Sequence, residues 1–146
     1  MKLLLFIAAG ITAGIASTLQ GVINTGLESR TGFAGSVFIV TWVSAFVMLL
    51  LLFIFPSHSN FQNLPGIKQW YLYIGGLFGI IIISTPVFLI PRIGVTLTIT
   101  VMIVGQLLIA AVIDHFGLFN LPVIKMSFSR ITGIILLLAA VILVKK

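Results

Sequence analysis

The sequence has little charge, almost no acidic residues and no cysteine. Only 7% of its 146 residues are charged, and just two of them are Asp or Glu. Soluble domains carry about 25% charged residues, so the composition excludes an ordinary water-soluble fold. Without cysteine there is no disulfide framework and no thiol chemistry. We expect neither a bound metal nor another cofactor.

The chain is rich in long apolar runs. Hydrophobic residues make up 60% of it, and the mean hydropathy is +1.33. About 20 apolar residues are needed to cross roughly 30 Å of hydrocarbon as a helix. Five runs approach or exceed this length, at about 3–27, 35–55, 70–90, 95–113 and 130–144. They predict an all-α, polytopic membrane protein: a single five-helix domain over residues 1–146, with its termini on opposite faces.

Local residues define the ends of these predicted helices. Pro56 and a polar stretch end the second, Pro91 ends the third, and Ser129 is a candidate N-cap for the fifth. The N-terminus, Met-Lys followed by LLLFIAAG, also resembles a secretory signal. We favour a membrane helix there, because the apolar character continues well past the usual length of a signal's core.

The net charge of +6 does not indicate a nucleic-acid partner, because the basic residues are scattered singly between apolar runs rather than clustered on one face. They are typical of anchors at the lipid headgroups. If the chain crosses the membrane five times, four basic residues lie on each side of it. Neither side then has the excess of Lys and Arg that fixes the orientation of a membrane protein. The two groups are Lys2, Lys68, Lys125 and Arg130, and Arg30, Arg92, Lys145 and Lys146.

Two interpretations of this balance remain open. A few basic residues near the first helix can dominate the choice of orientation, so that the chain inserts in one orientation only. Alternatively, the chain inserts both ways, and two copies pair in opposite orientations about an axis in the membrane plane. The second interpretation predicts an antiparallel homodimer, or a heterodimer with a related chain.

One face of the first predicted helix is small and polar. At 100° per residue, Ser17, Gly21, Asn24 and Glu28 fall on this face, and Gln20 lies beside it. Such a face can pack closely against another helix, with the two amides as hydrogen-bonding glue. It can also line a water-accessible path, in which Ser17, Gln20 and Asn24 bind a solute.

The third and fourth predicted helices also carry polar or irregular positions. Gln106 begins a second polar stripe that ends at Asp114, and we predict that Gln106 also contacts the solute. Pro86 removes a hydrogen bond to the carbonyl of Ile82. It is either a packing kink, with Ser84 or Thr85 bonding to the freed backbone, or a hinge that lets half the helix move.

Glu28 and Asp114, the two acidic residues, are the candidate titratable groups near a solute path. Each lies near a helix end, where an interfacial role is the alternative, and for Glu28 that role includes an ion pair with Arg30. His58 lies in a polar loop and indicates no function. The fifth helix is almost entirely aliphatic, so we expect its Gly133 and Ala140 to support a dimer.

Four features together resemble a known family. They are the Gln20-x3-Asn24 pair, the TWVSAF segment at 41–46, the Pro91-Arg92-x-Gly94 turn, and Gly105-Gln106 leading to DHFG at 114–117. In this order and spacing, over nearly the whole chain, they resemble the short five-helix YdcZ-type family of the drug/metabolite transporter superfamily, a relative of the small multidrug resistance transporters.

The resemblance implies a multi-pass protein of the bacterial inner membrane that moves small molecules by alternating access. It also implies that the chain corresponds to one half of an inverted-repeat transporter. The chain departs from the small multidrug exporters in one respect: their glutamate in the middle of the first helix is replaced by Ala13-Gly14-Ile15. This places their scheme of proton coupling in doubt for this protein.

We therefore expect a transporter for neutral, zwitterionic or amphipathic metabolites or drugs, in contact with membrane lipids. The alternative is a non-transporting scaffold or an accessory subunit of another membrane complex. An enzyme is not expected, because no nucleophile, base and orienting group occur at suggestive spacing.

Overall fold

The computed structural model describes residues 2–56, 61 and 64–145. All regular structure in this part of the chain is helical, which confirms the predicted all-α class. It comprises α1 (Lys2–Ile54), α2 (Ile74–Ile93), α3 (Val95–Phe116) and α4 (Phe128–Val144), with short 3-10 helices at Ile67–Tyr73 and Leu118–Asn120.

The described residues form four α-helices rather than the five predicted. The first two predicted helices are continuous in α1, which is interrupted only at Gly32, where the backbone is non-helical at φ 73° and ψ 168°. Glycine reaches such positive φ angles without steric cost. The polar residues around this position indicated a loop, but the helical hydrogen bonding resumes within one residue.

α2 begins and ends later than the apolar pattern indicates. Its predicted first turn is part of the preceding 3-10 helix, and the α-helix continues through Pro86 and Pro91 to Ile93. Pro91 therefore does not end the helix. Gly94, with φ 80°, separates α2 from α3, and Gly117 ends α3 in the left-handed conformation at φ 61°.

α4 begins at Phe128, two residues before the predicted start. Its N-cap is Ser127, whose side-chain oxygen accepts a hydrogen bond from the backbone N–H of Arg130. The prediction of Ser129 as the cap was wrong, because Ser129 is already inside the first helical turn.

Three helical stretches of the described chain are long and apolar enough to cross a membrane. They are Leu3–Ile54, Ile67–Ile93 and Val95–Phe116, and α4 is a shorter apolar helix. A straight helix of 53 residues, the length of α1, would extend for about 80 Å, more than twice the thickness of the hydrocarbon. The contacts between residues divide the chain into two compact units. The first unit ends at Arg92, and the second begins at Ile93.

Candidate functional site

α1 and α2 approach each other closely at Gly21. A Cβ atom placed on Gly21 would lie 3.0 Å from the Cβ of Pro86 and 3.1 Å from the Cδ1 of Ile90. Both Gly21 and Pro86 are buried. Small residues allow this kind of approach between helices in lipid, so part of the predicted small and polar face is a helix contact.

Asn24 lies on the same face of α1, three residues after Gly21, and is only 5% exposed. No hydrogen-bond partner of its side chain is found among the described residues. No fully buried side-chain nitrogen or oxygen atom among the described residues lacks a hydrogen-bond partner. The small exposed part of Asn24 therefore includes its amide. Burying an amide without a partner costs roughly 1–3 kcal/mol in proteins. Asn24 thus presents a donor and an acceptor that the described chain does not use.

The other two buried polar residues differ from Asn24 in this respect. The Ser36 hydroxyl donates to the carbonyl of Phe33 at 2.9 Å, and the Thr98 hydroxyl donates to the carbonyl of Gly94 at 2.7 Å. Each is satisfied by its own helix, a common arrangement for hydroxyl residues. Of the three, only Asn24 makes no side-chain hydrogen bond within the described residues.

The remaining predicted solute contacts are on exposed surfaces. Ser17 and Gln20 are exposed on α1, and Gln106 is exposed on α3. The predicted Gln20 and Asn24 pair therefore occupies two environments, because residues four apart are offset by about 40° and the edge of the helix contact falls between them.

Pro86 has two hydroxyl residues just before it, as predicted. Ser84 and Thr85 donate to the carbonyl of Ile81 at 3.1 and 2.7 Å. Neither bonds to the carbonyl of Ile82, which loses its usual N–H partner to the proline ring. The hydroxyls therefore support the turn before the proline but do not replace the missing bond.

Glu28 is half-buried, and no salt bridge to Arg30 exists in the described part of the chain. The expected pairing was wrong, because residues two apart on a helix do not face each other. Arg92 is held on its own helix: its guanidinium donates to the Phe88 carbonyl and lies 3.7 Å from the centroid of the Phe88 ring. Phe88 in turn packs edge-on against Phe33.

Asp114, in the last turn of α3, forms a salt bridge with Arg130. Its Oδ2 accepts a hydrogen bond from the Arg130 guanidinium at 3.1 Å. The adjacent loop folds back onto the same helix end, where the Ile124 N–H donates to the Asp114 carbonyl and the Met126 N–H to His115 Nδ1. Asp114 and His115 thus join the end of α3 to the start of α4.

Two predicted features lie outside the described residues, namely His58 and Lys146. Conversely, sequence reasoning missed the partnership of Arg130 with Asp114, since 16 residues and an irregular loop separate them. It also missed the burial of Ser36 and Thr98, which the sequence does not signal because both lie among apolar residues.

Three apolar helical stretches long enough to cross a membrane, in the part of the chain that the structure describes, are typical of a polytopic membrane protein. Residues 5–143 match the model of a family described as "Putative inner membrane exporter, YdcZ". The chain therefore belongs to the YdcZ family of drug/metabolite transporters. No curated protein and no solved structure matches it significantly.

Family membership confirms the resemblance seen in the sequence. It identifies the chain as a multi-pass inner-membrane protein and as a transporter in general terms. Exporters are a non-enzymatic class of protein, in keeping with the expectation that the chain is not an enzyme.

Proposed function

We propose that this chain moves a small neutral, zwitterionic or amphipathic solute across the inner membrane, and that Asn24 binds the solute. The observation that carries the proposal is that Asn24 is only 5% exposed and that its side-chain amide makes no hydrogen bond within the described residues. A group that is costly to bury alone becomes favourable when a ligand supplies its missing hydrogen bonds.

The chemistry of an amide suits this class of solute. An amide offers both donors and acceptors but no charge, so it can bind hydroxyl, amide, ammonium or carboxylate groups without demanding one sign of charge. Ser17 and Gln20 on α1 and Gln106 on α3 stay predicted solute contacts in the proposal. Glu28 is the candidate coupling group, because Asp114 is already paired with Arg130.

The proposed conformational change is a bend of α2 at Pro86. Pro86 packs against Gly21, which lies less than one helical turn from Asn24. A change of bend would therefore alter the surroundings of the solute site and open it to alternate sides of the membrane. In this proposal α1 crosses the membrane twice, once on each side of Gly32, which gives five crossings.

The proposal includes a dimer of two copies in opposite orientation, or of this chain with a related one. It is supported by the even division of basic residues in the sequence. Two antiparallel copies would reproduce the inverted repeats that larger transporters encode in one chain.

The proposal is tested by a thermal-shift screen of the purified protein against pools of metabolites. A bound solute raises the melting temperature by mass action. We expect a solute that stabilises the wild-type protein and fails to stabilise Asn24→Ala. The matched control is Ser36→Ala, which changes a buried polar residue of the same helix that already has its partner; this variant should retain the response to the solute.

The close contact at Gly21 favours a second candidate, a scaffold or accessory subunit in which the polar face serves only to pack helices. In that case no solute stabilises the protein. Asn24→Ala then lowers the melting temperature in the absence of any solute, because glue residues contribute about 0.6–2 kcal/mol in membrane proteins.

A further inference from the structure

An open groove runs between α3 and α4. Its volume is about 360 Å³, within the range of small-molecule sites. Its walls are apolar or small side chains, and an ion pair lies at one end. The lining residues are Leu107, Ala110, Asp114, Arg130, Gly133 and Leu137, with two apolar neighbours.

The ion pair at the end of the groove has unused hydrogen-bonding capacity. Asp114 and Arg130 are joined by one hydrogen bond, and their side chains are 37% and 43% exposed. This bond uses one of five guanidinium N–H groups and one of two carboxylate oxygens. Neither side chain makes a second hydrogen bond in the described part of the chain. The pair thus presents a positive and a negative group side by side.

The polarity of the groove changes along the helices. Asp114 lies in the last turn of α3 and Arg130 in the first turn of α4. Leu107 and Leu137 are each seven residues further into their helices, about 10 Å away along the axis. Charged side chains at helix ends lie at the membrane interface, so the apolar part of the groove reaches into the hydrocarbon.

We propose that this groove binds a zwitterionic membrane phospholipid with a primary ammonium headgroup. The lipid phosphate bonds to Arg130, its ammonium bonds to Asp114, and one acyl chain lies along the apolar wall towards Leu107 and Leu137. Charge-assisted hydrogen bonds of this kind are about twice as strong as neutral ones.

The charges of the groove distinguish this lipid from the other common phospholipids. A choline headgroup has no N–H to donate to Asp114. A glycerol headgroup carries no cation and leaves the lipid with a net negative charge beside the Asp114 carboxylate. The proposed ligand is thus phosphatidylethanolamine rather than phosphatidylcholine or phosphatidylglycerol, and the inference does not rest on the solute site at Asn24.

The test is a titration of purified, delipidated full-length protein with each of the three lipids, measured by native mass spectrometry and by thermal shift. We expect phosphatidylethanolamine to bind about tenfold more tightly than the other two, the equivalent of about 1.4 kcal/mol. Asp114→Asn should remove this preference over phosphatidylcholine, because the neutral amide no longer attracts the ammonium group.

A second variant tests the groove without disturbing the ion pair. A Cβ atom on Gly133 meets no atom within 4 Å, so Gly133→Leu fills the groove without a backbone clash. We expect it to weaken phosphatidylethanolamine binding at least tenfold. The control is Gly76→Leu, the same change at an equally open glycine of α2, which should bind lipid as the wild type does.

Three results would overturn the inference: equal binding of the three lipids, strongest binding of phosphatidylglycerol, or lipid affinity unchanged by Gly133→Leu. If Gly133→Leu leaves the lipid affinity unchanged but disrupts the dimer, a second copy of the chain occupies the groove. The aliphatic character of the fifth predicted helix had led us to expect a dimer contact at Gly133.

Discussion

Replacing Gly21 with alanine tests the helix contact on which the proposed site depends. The new Cβ would lie 3.0 Å from the Cβ of Pro86, which is fixed to a rigid ring, and 3.1 Å from the flexible end of Ile90. The Ile90 side chain can move aside, whereas Pro86 can move only with its helix. Overpacking of this kind costs about 1–3 kcal/mol.

The control for this substitution is Gly14→Ala in the same helix. A Cβ on Gly14 meets nothing within 4 Å, so this variant shows only the gain in helix propensity, about 0.5–1 kcal/mol. Both variants share this gain, so it cancels when the free energies of unfolding of the two variants are compared. We expect Gly21→Ala to be less stable than Gly14→Ala by about 1–3 kcal/mol.

The measurement is unfolding in mixed detergent micelles, followed by circular dichroism. Shortening Ile90 to valine removes its Cδ1 atom and should recover part of the loss, measured as coupling in a double-mutant cycle. Equal stability of Gly21→Ala and Gly14→Ala would refute the close approach of α1 and α2, and with it the proposed link between Pro86 and Asn24.

Three further predictions concern the helix ends and the orientation of the chain. Gly117→Ala should destabilise the protein by about 2 kcal/mol or more in the same unfolding assay, because φ is 61° and the Cβ would lie 2.6 Å from Val123. Gly94→Ala has open space around its Cβ but should still cost about 1–3 kcal/mol, because φ 80° and ψ 165° form a backbone conformation that is essentially restricted to glycine. Ser127→Ala should cost about 1 kcal/mol through loss of the N-cap, while a similar loss in Ser129→Ala would return the cap to Ser129. Two lysines added next to Lys68 should fix one orientation in accessibility labelling and reduce transport unless an oppositely oriented copy is supplied; full activity of the fixed protein alone would contradict the antiparallel dimer.

The sequence predicted the helical class and the apolar segments because both depend on composition and length, which are local properties. The helix ends were less predictable. Pro91 was expected to end a helix, but a proline in a membrane helix is tolerated when neighbouring groups compensate. The polar residues around Gly32 indicated a loop of several residues between two helices. In the structure a single glycine at positive φ is sufficient to interrupt α1.

The candidate site was predictable in part. The small and polar face of the first helix was visible from its periodicity, and the structure buries Gly21 and Asn24 of this face. The different exposure of Gln20 could not be read from the sequence, because it depends on where the partner helix lies. The Asp114 and Arg130 pair depends on the path of the loop between α3 and α4, which no local pattern encodes.

Solute flux through proteoliposomes tests whether the Asn24 amide binds a transported solute. The variant is Asn24→Leu, which replaces an amide that makes no hydrogen bond within the described residues with an apolar side chain of similar volume. Because no hydrogen bond of the described chain is lost, this change leaves stability unchanged or raises it. We expect flux to be lost in Asn24→Leu and kept in Ser36→Ala, and the melting temperature of Asn24→Leu to be no lower than that of the wild type. Flux retained by Asn24→Leu, together with a lower melting temperature, would show that Asn24 serves helix packing and does not bind the solute.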